Sequence, residues 1–551
     1  MGCSTSKVKV SRSTGPDSDD EYVEGVVCKD SDVGENEMKT FDLGEAGRVL
    51  LVRQNGKLSA LGAKCTHYGA PLVHGALGEG RVRCQWHGAC FNLLNGDIED
   101  FPGLDSLPCY QVTVSDDEVT VRARRAELES GKRVKAMAGR DVREAQHIVV
   151  VGGGPSGATC VETLRQEGFS GQITLVCKEN CLPYDRVLVS KAMDFDINKA
   201  QFRTEQFYKD NGIEVLKGVE ATAVNTTQKS VNLSNGATLN YDRLYVATGQ
   251  KANKIPIEGA DLQNVVVLRD YEHSRATQAL LSEDIEVVVL GSSFVAMEAA
   301  DYCSNKVKKV TVVARGTVPF KPLVGEAVGG AFKKLFEEKG VEFVTNSGMK
   351  RCVDDGSGKV SKVELIDGTI INADLVIMGV GSSCYTEFLK GSGLELRPDG
   401  SIEVDEFLQT NISGVYAGGD IAYAPVWSSN NRKSTIGHYS LAHYHGRIAA
   451  FNMLGKQKKI ETVPYFWTKL FGKSLRYSGH GKFDDVVYVG DVDQLKFVAF
   501  YLNGDEVVAA ASTGMDPVVS QYAELLAQGQ KLYRKDVEAD DKFQWTKKLH
   551  T

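Results

Sequence analysis

The sequence predicts a multidomain chain. An all-β module comes first, then an α/β unit made of two strand–turn–helix halves. Three observations predict this. At 551 residues the chain has room for three or four domains, each with its own core. Residues 148–157 and 286–296 each run from a short apolar strand through a glycine-containing turn into a helical pattern. Between 22 and 122, short strands alternate with turns and carry two Cys/His pairs, Cys65-Thr66-His67 and Cys84-Gln85-Trp86-His87, with sixteen residues between them.

Composition narrows the function classes. Hydrophobic content of 42% and charged content of 25% are ordinary for a globular protein. A net charge of −8 and a pI near 5.8 give no reason to expect a nucleic-acid partner. Twelve cysteines without a small-domain framework read as mostly buried free thiols in a reducing compartment. No apolar run approaches the roughly 20 residues that span a bilayer, and no secretory h-region is present.

Residues 1–21 read as a flexible tail. Met1-Gly2-Cys3-Ser4-Thr5-Ser6 fits an N-myristoylation signal at Gly2, with Cys3 placed for palmitoylation and Lys7, Lys9 and Arg12 following. One myristoyl chain binds membranes only marginally, so a second acyl chain or basic residues are needed for stable attachment. Both are present, and the expectation is a cytoplasmic protein held at the membrane surface. A mitochondrial location is the alternative, although a presequence would be Arg-rich and poor in acids. A polar spacer, 13–21, follows.

Residues 22–123 form the β module. Two thiolates and two imidazoles on two loops suit a [2Fe–2S] centre in which two Cys hold one iron and two His the other. Zinc is the rival, since Cys₂His₂ satisfies tetrahedral Zn²⁺. Two features favour the cluster. Each loop pairs one Cys with one His at close spacing, and each His is followed by a turn (Tyr68-Gly69-Ala70, Gly88-Ala89) expected to bring N–H groups near the sulfurs. The segment closely resembles Rieske ferredoxins, which implies Cys65, His67, Cys84 and His87 as the ligands. In respiratory-type Rieske proteins each loop adds a Cys to form a disulfide. The matching positions here are Ala70 and Gln85, so that bridge is not expected, and Cys90 has no obvious partner. Pro102-Gly103 begins a loop placed to cover the cluster. The charged stretch 124–146 reads as a linker.

The next unit, 147–265, opens with Ile148-Val149-Val150-Val151 and Gly152-Gly153-Gly154-Pro155-Ser156-Gly157. Glycines there let the backbone approach a pyrophosphate at a helix N-terminus, with Gly152, Gly154, Ser156 and Gly157 at the contact. A second strand ends at Lys178-Glu179, about 20 residues on, where an acid bonds a ribose hydroxyl. Glu179 is the expected acid, and the neighbouring lysine makes its register uncertain by one position. With Val246-Ala247-Thr248-Gly249 and Val415-Tyr416-Ala417-Gly418-Gly419-Asp420, the chain resembles flavoproteins of the pyridine-nucleotide-disulfide-reductase type. That resemblance implies FAD bound through Thr248, Gly249, Gly419 and Asp420, with 385–458 completing the FAD domain.

Residues 266–384 hold the second unit. Gly291-Ser292-Ser293-Phe294-Val295-Ala296 is a degenerate fingerprint, with Ser293 at the second glycine position and Ala296 at the third. The side chain of Ser293 is expected to face the pyrophosphate. The next strand ends Ala314-Arg315 without an acid, so NADPH fits as well as NADH, through Gly291, Ser293 and Arg315. An inherited fold half that binds nicotinamide poorly is the alternative.

The redox Cys pair of disulfide reductases is missing. Leu182-Pro183-Tyr184-Asp185-Arg186 and Ser190-Lys191 resemble instead apoptosis-inducing factor and oxygenase-coupled ferredoxin reductases. From about Tyr22 to its end the chain is identified as a Rieske-bearing member of the apoptosis-inducing factor family, on Phe294–Glu298, the 427–433 and 463–474 stretches and 495–501. The implied fold is an all-β Rieske domain, an α/β FAD/NAD(P)-binding flavoprotein with two Rossmann-type units, and an α+β reductase domain over 459–551. The resemblance places Arg186 and Lys191 near the flavin, Glu298 on the nicotinamide side, and Phe466 and Trp467 near the flavin. Lys191 and Glu298 are the expected catalytic residues. A Rieske oxygenase would need a carboxylate three residues before His438, where Thr435 stands, so His438, His443 and His445 read as core or surface histidines.

The expected function is electron passage from NAD(P)H through FAD to the [2Fe–2S] cluster and on to an unknown acceptor. The family implies a link to cell death, and a redox-dependent interaction protein with little turnover is the competing class. A soluble diaphorase with an unmodified N-terminus is a third reading. A homodimer is compatible with the chain.

Overall fold

The structure, a computed structural model, describes residues 21–538 and 542–550. The acylation signals at Gly2 and Cys3 lie outside them. The β module is a six-stranded antiparallel sheet in the order Tyr22–Lys29, Glu118–Arg124, Cys109–Ser115, Lys57–Gly62, Arg48–Gln54, Glu37–Asp42. In a smaller sheet, Ala76–Gly78, Arg81–Arg83, Cys90–Asn92 and Ile98–Asp100, the Cys84–His87 loop joins the second strand to the third, while the Cys65–His67 loop leads into it from Lys57–Gly62. Alternation decides which face is buried: in Glu118–Arg124, Val119, Val121 and Ala123 are buried while the polar Thr120 and Arg122 between them stay partly exposed.

The 124–146 stretch is fastened at both ends. Arg125–Ser130 is a short helix, Ser106 and Arg133 exchange backbone hydrogen bonds in both directions, and the Asp141 N–H donates to Ser170 O.

The two nucleotide units repeat one plan. In the first, Ile213–Lys217, Gln172–Cys177, His147–Val151, Arg243–Val246 and Val415–Ala417 form a five-stranded parallel sheet. The second sheet runs Val265–Val266, Leu375–Met378, Glu286–Leu290, Lys309–Val313, Glu342–Val344, also parallel. Each unit inserts a three-stranded antiparallel meander before its next parallel strand, Ala221–Asn225 to Thr238–Asn240 and Met349–Asp354 to Ile370–Asn372. The two chain crossings between the units pair with each other as Gln250–Ala252 against Ser382–Cys384. The central strands are near-continuous apolar runs because helices and the antiparallel meanders both pack against them.

The C-terminal domain is a five-stranded antiparallel sheet, Tyr465–Leu470, Lys473–Gly479, Glu506–Thr513, Lys496–Asn503, Asp485–Asp491, covered by the helix Val518–Ala527. Among the described residues no helix is long and apolar enough to cross a membrane.

Candidate functional site

The two Cys/His loops are built alike. Each returns on itself through a glycine in the left-handed region, Gly69 and Gly88, whose N–H donates to the carbonyl of Cys65 and of Cys84 respectively. At Gly88 a Cβ would also strike the Tyr465 ring at 2.6 Å. The loops bring His67 Nδ1 and His87 Nδ1 to 3.0 Å. Burial holds both imidazoles neutral, with pKa values lowered to about 3 and about 2. The two thiols hydrogen-bond each other, which holds Cys84 below the usual thiol range and Cys65 above it. The N–H groups aimed at the sulfurs belong to His67 and Tyr68 on one loop and to Trp86 and His87 on the other. On the first loop the Tyr68 N–H comes from the turn after His67, as expected; on the second both donors lie within the Cys84–His87 span, ahead of the Gly88-Ala89 turn.

This donor set fits a two-iron cluster: neutral imidazole nitrogens converge, and the sulfurs sit among backbone donors. Among the described residues no three His, Cys, Asp or Glu side chains converge on one ion. A cluster in which each iron takes two protein ligands does not require such a trio. The disulfide positions hold Ala70 and Gln85, both buried. Gln85 Nε2 donates to Pro71 O at 3.1 Å, so an amide ties the loops where respiratory-type proteins use a disulfide. At Gly103 a Cβ would lie 3.7 Å from His67 Cδ2, so that loop does cover His67.

Behind the loops lies a cavity of about 950 Å³. One end is the first glycine turn, where Gly152, Gly154 and Ser156 line the wall beside the N-terminus of Pro155–Gln166. The turn is closely packed: a Cβ at Gly157 would sit 1.9 Å from Gly152 O. The Ser156 hydroxyl is engaged by Tyr245 OH at 2.6 Å, which leaves backbone N–H groups to face an anion. Glu179 pairs with Arg186 and accepts from Tyr184 OH at 2.8 Å. Lys178 turns instead to Tyr385 and Glu220, so Glu179 is the acid held against the Arg186 loop. Thr248 Oγ1 donates to Tyr385 O at 2.6 Å, beside Gly249. Asp420 receives Arg269 at 3.2 Å, and the Gly419 N–H donates to His445 Nδ1.

At the other end, Lys191 pairs with Glu298, which also accepts from Ser190 Oγ (2.5 Å) and Thr468 Oγ1 (2.6 Å). Phe294, Phe466 and His438 stand around this end, and His438 Nδ1 is buried with no partner. A cavity of about 950 Å³ lined both by a glycine turn at a helix N-terminus and by an unpaired buried nitrogen fits FAD. Burial lowers His438, His443 and His445 to about 4, 3 and 4, and His443 bonds Thr159 Oγ1 at 2.6 Å. His443 and His445 are core residues, whereas His438 borders the cavity.

The second nucleotide unit reaches this cavity through Phe294, Val295 and Glu298. Gly291, Ser293 and Arg315 lie outside its lining. Ser293 does not face an approaching pyrophosphate. Its hydroxyl donates to Gly379 O at 3.0 Å and accepts from the Ala296 N–H, capping the helix Phe294–Ser304. Ala296 fits the third glycine position because glycine stands opposite: a Cβ on Gly379 would meet Ala296 Cβ at 2.6 Å.

The cluster loops and the cavity meet at one side chain. Trp467 lines the cavity and packs on His87 at 4.5 Å and on His67 at 5.9 Å between ring centroids. Tyr68 stacks on His67 at 3.9 Å and donates its hydroxyl to Asp185, on the loop that carries Arg186. Sequence reasoning missed Tyr385 and Gly379, and it named Tyr68 and Asp185 only as members of a turn and of the Leu-Pro-Tyr-Asp-Arg run, without the bond that joins them.

Comparison with known proteins places these features. Residues 24–111 match the Rieske [2Fe-2S] domain, 146–446 the pyridine nucleotide-disulphide oxidoreductase family, and 465–548 the reductase C-terminal family. Apoptosis-inducing factor 3 of Mus musculus and of Homo sapiens are each 42% identical over 522 residues, 94% of this chain and 86% of theirs. The ferredoxin–NAD(+) reductase subunit of the benzene 1,2-dioxygenase system of Pseudomonas putida is 29% identical over 61% of this chain and 81% of its own length. Among solved structures, a ferredoxin reductase from Rhodopseudomonas palustris superposes with a TM-score of 0.69 at 25% identity, over 74% of this chain and 100% of that one. The covalent putidaredoxin reductase–putidaredoxin complex gives 0.70 at 25%, over 74% and 99%.

Proposed function

The chain belongs to the pyridine nucleotide-disulphide oxidoreductase family as a Rieske-bearing, apoptosis-inducing-factor-type oxidoreductase using FAD, a [2Fe-2S] cluster and NAD(P)H, and from that premise we propose that it forms one internal electron line from nicotinamide to an acceptor outside the chain. When bound, FAD would supply hydride acceptance from NAD(P)H, two electrons at once, and the cluster would supply single-electron transfer onward. Cys65, Cys84, His67 and His87 hold the cluster. Gly152, Gly154, Ser156 and Gly157 present the helix N-terminus to the FAD pyrophosphate. Glu179, braced by Arg186, takes a ribose hydroxyl, and Thr248, Gly249, Gly419 and Asp420 hold the rest of the chain of FAD. Lys191 and Glu298 form the polar pair at the flavin end, Glu298 on the nicotinamide side. Gly291 and Arg315 receive the nucleotide of NAD(P)H outside the flavin cavity, at the helix N-terminus that Ser293 caps.

The observation that carries this reading is Trp467, which is at once a wall of the cavity and the ring packed on both cluster imidazoles. Rapid mixing of the anaerobic holoprotein with NADH or NADPH tests it. Bleaching of the flavin followed by a reduced-cluster signal is expected, and bleaching with a permanently oxidised cluster would refute it.

At its N-terminus we propose myristoylation of Gly2, with Cys3 palmitoylated, so that the acceptor is met at a cytosolic membrane face. A Gly2→Ala chain should then become soluble on fractionation. Unchanged fractionation, or import into mitochondria, would remove this part. The redox line is complete within one chain, so a homodimer would serve attachment and not chemistry. A second reading, a redox-dependent cell-death interaction protein, draws support from the curated relatives' name and from the second nucleotide turn lying outside the cavity lining. Absent flavin reduction with intact partner binding would favour it.

A further inference from the structure

The β module is joined to the C-terminal domain by a buried ionic clamp that reaches the cluster loop itself. Glu524, in the helix Val518–Ala527, has its side chain fully enclosed. Its Oε1 accepts from Arg83 Nε at 2.5 Å and its Oε2 from Arg81 Nε at 2.8 Å. The Cys90 thiol sits 3.7 Å from Oε1. Gly78 is the seat for this carboxylate, since a Cβ there would lie 2.1 Å from Glu524 Oε2.

Arg83 precedes Cys84 directly. Its other two nitrogens donate to Asp100 Oδ2 at 2.6 Å and to Gly88 O at 3.0 Å. One guanidinium therefore spans both ends of the loop that carries Cys84 and His87, and a carboxylate more than 400 residues away in sequence holds it. Asp100 is itself fixed by Thr462 Oγ1 at 2.6 Å, and Ser520 Oγ donates to Cys84 O at 3.2 Å. A planar, multiply bonded arginine loses its geometry when one anchor goes. Charges and hydrogen bonds around a cluster set its potential.

We propose that Glu524 is a positioning residue for the iron–sulfur cluster, fixing the Cys84–His87 loop and lowering the cluster's reduction potential through Arg83. This rests on the reading that Cys84 and His87 hold the cluster. The test is the full chain carrying Glu524→Gln, loaded with FAD and iron–sulfur cluster. Removing a negative charge favours the reduced cluster, so its midpoint potential should shift upward and its electron paramagnetic resonance g-values should change. FAD content and the rate of flavin bleaching by NADH should stay at wild-type levels. Arg83→Gln should shift the potential downward. A general loss of packing would not produce opposite signs.

If Glu524→Gln does not yield a FAD-containing chain, Gly78→Ala displaces the carboxylate without removing its charge, and should alter the g-values with a smaller upward shift. Potential and g-values matching wild type in whichever variant folds would overturn the clamp. Absence of any Rieske signal in the wild-type chain would instead overturn the cluster reading beneath it.

Discussion

Gly446→Ala is the sharpest test of how the flavin site is built. Gly446 lies in the helix Tyr439–Met453 where it crosses Pro155–Gln166, the helix whose N-terminus faces the cavity. A Cβ at Gly446 would sit 2.0 Å from Ser156 O and 3.1 Å from Cys160 N. Ordinary contact is about 3.5 Å, so the helices must part by about 1.5 Å. Both are continuous helices in a close-packed core, and overpacking of this kind costs about 1–3 kcal/mol. The displaced atoms belong to Ser156, in the first turn at the cofactor. If the whole cost falls on FAD binding, affinity drops about 5- to 150-fold. Titration of apoprotein with FAD, followed by flavin release on heating, measures both. Gly330→Ala is the matched control: it is also helical, but nothing lies within 4 Å of the added methyl. There the smaller chain entropy of alanine should stabilise by about 0.5–1 kcal/mol. If Gly446→Ala binds FAD and melts like the control, the close helix crossing does not position the site.

Other predictions read other parts of the chain. Cys65→Ser should abolish the iron–sulfur absorbance and leave FAD bound, because Cys65 is no part of the cavity wall; loss of both cofactors would tie the two sites together. Trp467→Leu should leave NADH-driven flavin bleaching intact and slow cluster reduction in stopped-flow traces; unchanged cluster reduction would remove Trp467 from the path. His438, His443 and His445 are kept neutral by burial, at about 4, 3 and 4, below the usual 6.5. A histidine with a lowered folded-state pKa contributes stability that is present above 6.5 and lost as pH falls. Each therefore costs about 1.4 kcal/mol at pH 5.5, about 4 kcal/mol for the three. Flavin-release midpoints at pH 8 and 5.5 measure the fall, and His443→Gln should make it smaller by about 1.4 kcal/mol.

Motifs whose parts lie close in sequence were legible. The Cys/His pairs, the two glycine turns and the Asp420 element each announce a loop between a strand and its neighbour, and each stands where the spacing put it. The α/β repeat was equally visible, since buried parallel strands read as apolar runs such as Ile148–Val151 and Val287–Leu290. Partners joined only by folding were not legible. Glu524 reads as one acid in an amphipathic helix, and Cys90 showed no partner until the C-terminal helix closed over it. The fate of Ser293 depended on Gly379, far along the chain, whose carbonyl takes its hydroxyl. The 124–146 stretch reads as a linker because it is charged and mostly polar, while in the fold its backbone is bonded to both neighbours and Arg133 and Lys135 pair with Asp97.

The central claim is that electrons cross from the flavin cavity to the cluster inside one chain. Anaerobic stopped-flow mixing of the holoprotein with NADH, and separately NADPH, sampled by freeze-quench electron paramagnetic resonance, tests it most directly. The account predicts flavin bleaching first, then a Rieske-type signal whose rate does not depend on protein concentration. A cluster signal that rises in rate with concentration, or never appears after the flavin is reduced, would contradict it.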